Sequence, residues 1–172
     1  MGQEIEAKFA VLGDAWRAAA HKSVPIKQGY LSTDKRCTVR ARLKGEKAYL
    51  TIKGAPDAES GLVRRELEYA IPVEDARVML GELCTGSVVE KTRHLVQHEG
   101  VTWEVDEFSG DNAGLLLAEL EAESVEAFER VLAERRPPWI GERLDEPRYT
   151  NAELAQRPFS RWSAAERARH QR

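Results

Sequence analysis

The stretch Glu4-Ile5-Glu6-Ala7-Lys8-Phe9 alternates charged and apolar residues without a break. Extended backbone sends successive side chains to opposite faces, so a strand here puts Glu4, Glu6 and Lys8 on one side and Ile5, Ala7 and Phe9 on the other. The pattern recurs down the chain. Arg40 and Arg42 alternate in Thr-Val-Arg-Ala-Arg-Leu, Lys53 ends Tyr-Leu-Thr-Ile-Lys, and Arg64, Glu66 and Glu68 share a face. Lys91 and Arg93 follow Val89, Glu104 and Asp106 follow Thr102, and Glu119 and Glu121 stand against Leu120 and Ala122. Several pairs carry one sign two residues apart, where side chains repel. An ordinary solvent face mixes signs, whereas blocks of one sign cost stability unless a ligand neutralises them. Any fold for this chain has to place a charged face on nearly every strand.

In chain order, Asp14 to His21 is a short helical candidate with Asp14 as N-cap, and Lys27 to Ser32 enters a strand. Residues 37–44 and 48–53 form a hairpin around Lys44-Gly45-Glu46-Lys47, and residues 54–61 are loop by composition. A strand from Arg64 to Ile71 precedes a helix from Pro72 to Leu83 with Val73, Ala76, Met79, Leu80 and Leu83 on one face. Residues 87–97 and 101–108 make a hairpin turned at Glu99-Gly100, and residues 115–122 give the last strong strand. Ser124 caps a helix that ends before Pro137-Pro138. Beyond Trp139 the chain reads as irregular, with helical stretches from Asn151 and from Ser163. About eight strands, mostly in hairpins, and three helices predict a mainly β fold, an antiparallel sheet closed into a barrel so that no edge is left unpaired. Alternation alone leaves the facing open. Outward charges give a barrel with an apolar core; inward charges give a wet tunnel whose apolar outside must be covered by helices.

Composition narrows the class. The 172 residues are 42% hydrophobic and 32% charged, which suits one charge-rich globular domain over residues 1–172. A net charge of −3 lacks the general basicity of a nucleic-acid binder, so no nucleic-acid partner is expected. No apolar run of membrane length and no secretory leader pattern is seen, so no membrane partner is expected. Cys37 and Cys84 form no CxxC or Cys/His cluster, which argues against structural zinc and for a cytoplasmic location. His21, His94, His98 and His170 read as surface, and Trp16, Trp103 and Trp139 as packing.

Glu4-x-Glu6-x-Lys8 resembles the ExExK signature of the CYTH superfamily, the triphosphate tunnel metalloenzymes. Gly29-Tyr30-Leu31, Val39-Arg40-Ala41-Arg42, Leu50-Thr51-Ile52-Lys53 and Arg65-Glu66-Leu67-Glu68 follow in that family's order. So do Lys91-Thr92-Arg93, Trp103-Glu104-Val105-Asp106 and Ala118-Glu119-Leu120-Glu121, with Arg148-Tyr149-Thr150-Asn151 and Arg157 to Trp162 similar to the tail of small single-domain members. The resemblance spans about residues 3–162 and leaves 163–172 as a tail. Gly141-Glu142-Arg143-Leu144-Asp145 departs from the family's usual Gly-x-Glu-Val-Thr, so Glu142 and Asp145 receive no catalytic role.

The resemblance implies an eight-stranded antiparallel tunnel with charges in its bore and flanking helices. It also implies Mg²⁺ or Mn²⁺ as cofactor and a triphosphate-containing small molecule as substrate. The expected metal set is Glu4, Glu6, Asp106, Glu119 and Glu121, since hard divalent cations prefer carboxylate oxygens. Lys8, Arg40, Arg42, Lys53 and Arg93 are the expected phosphate grip, because arginine's planar fork pairs two phosphate oxygens. Tyr30 and Lys91 are the catalytic pair that the resemblance suggests, with metal-activated water and no protein base as the alternative, and Glu66, Glu68 and Glu104 support the basic side chains. Hydrolysis of inorganic tripolyphosphate is the expected activity. A nucleoside or thiamine triphosphatase, an adenylate cyclase on the same site, and a non-catalytic polyphosphate-binding module are the rivals. A monomer and a homodimer both fit.

Overall fold

The computed structural model describes the backbone of residues 2–58 and 63–170, with side chains from residue 5 onward. Nine strands follow one another: β1 (Gly2–Val11), β2 (Ala20–Asp34), β3 (Cys37–Lys44), β4 (Lys47–Pro56), β5 (Val63–Ile71), β6 (Thr85–His98), β7 (Val101–Ser109), β8 (Leu116–Ala122) and β9 (Ile140–Arg143). The described helices are α1 (Val73–Val78), α2 (Val125–Glu134), α3 (Asn151–Gln156) and α4 (Ala164–Ala168), with short 3₁₀ turns between elements. The sheet runs β5-β4-β3-β2-β6-β7-β8-β1, all antiparallel, and β1 pairs back with β5 to close an eight-stranded barrel. β9 lies outside the closed circuit on β1.

Tight hairpins set the registers. Glu99 (φ 47°) and Gly100 (φ 78°) turn β6 into β7 with the two positive dihedrals of a type I′ hairpin turn. Gly45 (φ 59°) supplies the one positive dihedral of the turn between β3 and β4, as a type II′ turn requires. Ser124 caps α2 by accepting a hydrogen bond from the Ala127 amide, as its place before an apolar run predicts.

The apolar faces point out of the barrel and are roofed over. Ile5, Ala7 and Phe9 of β1, Trp103 and Val105 of β7, and Ala118 and Leu120 of β8 pack with Trp16, Trp139, Ile140 and Phe128 of α2. A second apolar cluster lies inside one end of the barrel. There Tyr30, Val89, Phe108 and Leu117 meet Leu144, Tyr149, Leu154, Ala155, Phe159 and Trp162 from the C-terminal segment. The tail therefore stoppers the bore. His170 completes the stopper, with Nε2 3.0 Å from the Tyr149 hydroxyl, so it is part of the packing and not a surface residue. His94 is likewise held, against Trp16 and between Ser23 and Glu107.

Several expected boundaries move. The stretch expected as a helix at 14–21 is a 3₁₀ turn, Ala15–Ala19, whose Asp14 makes no side-chain cap, and β2 begins at Ala20. Pro25 obscures that early start, since proline normally argues against strand. The helix expected to Leu83 ends at Val78 and continues as a π turn, Met79–Leu83, that leaves Leu83 exposed. β4 continues through Pro56, into the stretch expected as loop, and residues 59–61 of that loop lie outside the described residues. Among the described residues no helix is long and apolar enough to cross a membrane.

Gly86 is where the stopper meets the wall. It has φ +74°, and a Cβ there would lie 2.5 Å from the Ala155 carbonyl oxygen and 2.7 Å from Gln156 Nε2. Gly86→Ala is expected to destabilise the fold by about 2 kcal/mol or more, from left-handed strain and displacement of α3 together. A urea unfolding midpoint equal to the parent's would show that α3 is not fitted against β6 as described.

Candidate functional site

Every barrel strand sends charged or polar side chains into the bore, and they form tiers between stopper and mouth. Nearest the stopper are Ala10 of β1, Tyr30 of β2, Val89 of β6, Phe108 of β7 and Leu117 of β8. Two residues further along the same strand faces come Lys8, Gln28, Lys91, Asp106 and Glu119. Further still are Glu6, Arg93, Glu104 and Glu121. An open depression of about 370 Å³ lined by Thr102, Glu104, Glu121, Ala122 and Glu123 marks the mouth. The inward assignment of the charged face thus holds, and the mouth is acidic.

Arg93 is the hub of one wall. Its Nε donates to Asp106 at 2.7 Å and its Nη2 to Glu119 at 2.5 Å, while its Nη1 pairs with Glu104. Asp106 also accepts from Lys91, whose Nζ reaches Asn151 Oδ1 of α3 at 3.3 Å. Lys8 lies 3.1 Å from Glu119 and 3.7 Å from Glu6. On the next wall Lys53 lies 3.2 Å from Glu66 and 3.8 Å from Glu6. Thr51 donates to Glu68 at 2.9 Å and accepts from Arg40 at 3.2 Å, with Arg40 itself 3.9 Å from Glu68.

Arg42 is the exception. Its Nε donates to Gln28 Oε1 at 3.2 Å, and among the described residues it has no carboxylate within ion-pair distance. Burial, then the charges of Arg40 and Arg93, pull its guanidinium down to about 10. Burial alone works against Arg93 too, but Asp106 and Glu119 more than offset it and hold that guanidinium well above its usual range. Lys91 falls to about 8 because burial outweighs the pull of Asp106. Burial also opposes ionisation of Asp106 and Glu119, yet the cations around them keep both below the usual carboxylate range. Glu121 goes the other way: burial raises it, and the like charges of Glu6 and Glu66 add to the rise.

The expected site residues divide into groups. Lys8, Arg40, Arg42, Lys53, Lys91 and Arg93 all face the bore, as do Glu6, Glu66, Glu68, Glu104, Asp106, Glu119 and Glu121. Glu4 pairs with Arg64 in the β1–β5 register, and its side chain lies outside the described residues. Asp106 and Glu119 are engaged by lysine and arginine, and among the described residues no three His, Cys, Asp or Glu side chains are grouped to hold a metal ion. Tyr30 sits in the stopper's apolar cluster, and the hydrogen bonds of Lys91 run to Asp106 and Asn151 and not to Tyr30. Arg64 donates to the Gly54 carbonyl. Gln28, Thr51 and Asn151 join the site without having been expected, since a neutral side chain gives no charge pattern to notice; Gln28 faces Arg42 across the register of β2 and β3.

Comparison with known proteins places this arrangement. The CYTH domain pattern matches residues 2–149. An inorganic triphosphatase of Acetivibrio thermocellus is 45% identical over 160 residues, covering 92% of this chain and 97% of the relative. An inorganic triphosphatase of Nitrosomonas europaea is 36% identical over 155 residues, covering 88% and 96%. The crystal structure of an inorganic triphosphatase superposes with a TM-score of 0.62 at 34% identity, covering 90% of this chain and 95% of that one. A conserved hypothetical protein from Pyrococcus furiosus shares the fold at a TM-score of 0.64 and 22% identity. Barrel, bore and sequence agree, and the chain belongs to the CYTH family.

Proposed function

We propose that this protein hydrolyses inorganic tripolyphosphate to pyrophosphate and phosphate, with the bore as its active site. The observation that carries the reading is Arg42, a buried guanidinium with no carboxylate partner among the described residues and with two other arginines depressing it. Such a group wants an anion with several oxygens. Two named relatives at 45% and 36% identity point to the same substrate class.

In this reading Arg40 and Arg42 hold phosphate oxygens towards the stoppered end, Lys8 and Lys91 flank the chain at the tier between, and Lys53 and Arg93 flank it towards the mouth. Glu66, Glu68, Glu104, Asp106 and Glu119 position those cations. Burial and the charges of Glu6 and Glu66 raise the proton affinity of Glu121, so the bore has a place where added positive charge relieves repulsion. Glu6 and Glu121, with Glu4 from the same face of β1, are the residues that would hold Mg²⁺ or Mn²⁺ there. A bound divalent ion would neutralise phosphate oxygens as charge builds on the leaving pyrophosphate. Water attacks a terminal phosphorus, its P–O–P bond breaks, and the water's proton passes to solvent or to a bore acceptor. Lys91, fixed by Asp106 and Asn151, serves as a buried cation, and Tyr30 walls the bore next to Arg42.

The test is phosphate release from tripolyphosphate, ATP, thiamine triphosphate and pyrophosphate, each with Mg²⁺, with Mn²⁺ and with EDTA. A grip built from ions is expected to turn over tripolyphosphate with a kcat/KM at least about tenfold above that for ATP, a difference of roughly 1.4 kcal/mol, and EDTA is expected to stop it. Equal or faster turnover of ATP would replace this reading with a nucleotide-handling one.

A further inference from the structure

We infer that Gln28 contacts substrate, donating its side-chain amide protons to the innermost phosphoryl group of a polyphosphate bound in the bore. The inference rests on the function proposed above and adds a residue that charge patterning passes over.

Position comes first. Gln28 lies opposite Arg42 of β3 on one side and opposite Val89 of β6 on the other. Val89 belongs to the apolar cluster that seals the barrel, so Gln28 stands where the charged bore meets the stopper. Its side chain is fully buried.

Orientation follows from hydrogen-bond chemistry. A guanidinium has only donors, so the Gln28 atom 3.2 Å from Arg42 Nε has to be the carbonyl oxygen. The reversed amide would set donor against donor. With Oε1 fixed on Arg42, the NH₂ group is directed elsewhere, and it finds no acceptor among the described residues. Arg40 Nε is also buried without an acceptor, and the charge of Arg40 is close enough to depress Arg42. Two unmet donors, Gln28 Nε2 and Arg40 Nε, thus lie within the charged bore. Buried donors left unpaired are costly, and two of them beside Arg42 point to an acceptor with many lone pairs.

A terminal phosphoryl group fits that description. It presents three unesterified oxygens, enough to serve Gln28, Arg40 and Arg42 together. The apolar wall of Tyr30, Val89, Phe108 and Leu117 leaves no polar room for an ester substituent beyond it. A neutral amide also adds donors without adding to the repulsion among Arg40, Arg42 and Arg93. A lysine in its place would deepen that repulsion.

The experiment is a double-mutant cycle of Gln28→Met and Arg42→Ala, read as KM and kcat for tripolyphosphate with Mg²⁺ and as calorimetric binding of tripolyphosphate in EDTA. Gln28→Met is expected to weaken binding and raise KM about tenfold, as for a hydrogen bond to a charged group, with a much smaller change in kcat. In the Arg42→Ala background it is expected still to cost several-fold. Loss that vanishes in that background would reduce Gln28 to a support for Arg42 and overturn the inference, as would no loss in either. Gln28→Glu keeps the partner of Arg42 and the shape of the side chain, so it folds if Gln28→Met does not; parent-like KM in that variant also overturns the inference. A parent that binds tripolyphosphate without turning it over defeats the hydrolase reading alone. A parent that neither binds nor hydrolyses it defeats both.

Discussion

Arg42→Ala is expected to separate stability from function, lowering kcat/KM for tripolyphosphate about a hundredfold while leaving the empty protein as stable as the parent or more so. The loss corresponds to two charge-assisted hydrogen bonds at roughly 1.5 kcal/mol each. The stability half follows from the sign of the shift. Burial and the neighbouring arginines lower the guanidinium to about 10 in the folded protein, well below its ordinary value. A base whose folded value lies below its unfolded one destabilises the fold wherever both states carry the charge, which here means every pH below about 10. The shift corresponds to a cost on the order of 3 kcal/mol, which truncation removes at the expense of some packing. Thermal unfolding with and without tripolyphosphate reads both halves. A variant that melts well below the parent, or keeps the parent's ligand-induced shift, would return Arg42 to an ordinary structural role.

Arg93→Ala should do the opposite. Arg93 ties Asp106, Glu104 and Glu119 together in the buried wall, and its removal leaves three acids to share Lys91 and Lys8. Breaking a buried ion pair from one side typically costs about 3–5 kcal/mol, so the melting temperature should fall by roughly 10 °C. Arg93→Lys, which keeps the charge but not the fork, should fall between. The two substitutions remove the same chemical group from adjacent parts of one bore. If both left the melting temperature unchanged, the division between a satisfied and an unsatisfied arginine would be wrong.

That division could not be read from sequence, because Arg42 and Arg93 look alike in their strands. What could be read was direction. The alternation in Glu6/Lys8, Arg40/Arg42, Lys91/Arg93 and Glu119/Glu121 is a local property of extended backbone, and all eight side chains share the bore. Glu99-Gly100 and Ser124 announce a turn and a cap through equally local chemistry. Partnership is not local. Asp106 meets Lys91 and Arg93 only because β6 and β7 pair in one register. The stopper was hidden for the same reason: Leu154, Phe159 and Trp162 look like the apolar side of any short helix until a barrel end is there to receive them. β9 spans only Ile140–Arg143, too few residues for a period, and Gly141 lets it lie close, since a Cβ there would come within 3.1 Å of the Ala10 side chain.

The position of β1 bears on how the chain reaches this state. β1 pairs with Val63–Glu66, with Leu117–Ala122 and with Ile140–Arg143, and among the described residues with nothing nearer in sequence. Its Glu6 and Lys8 must wait, solvated, while the hairpins from β2 to β5 and from β6 to β7 assemble by short-range contacts. Seam closure is then a late, long-loop event, slow for its entropy of closure. Until that moment Ile5, Ala7 and Phe9 have no roof, so β1 is the segment most in need of protection from neighbouring chains.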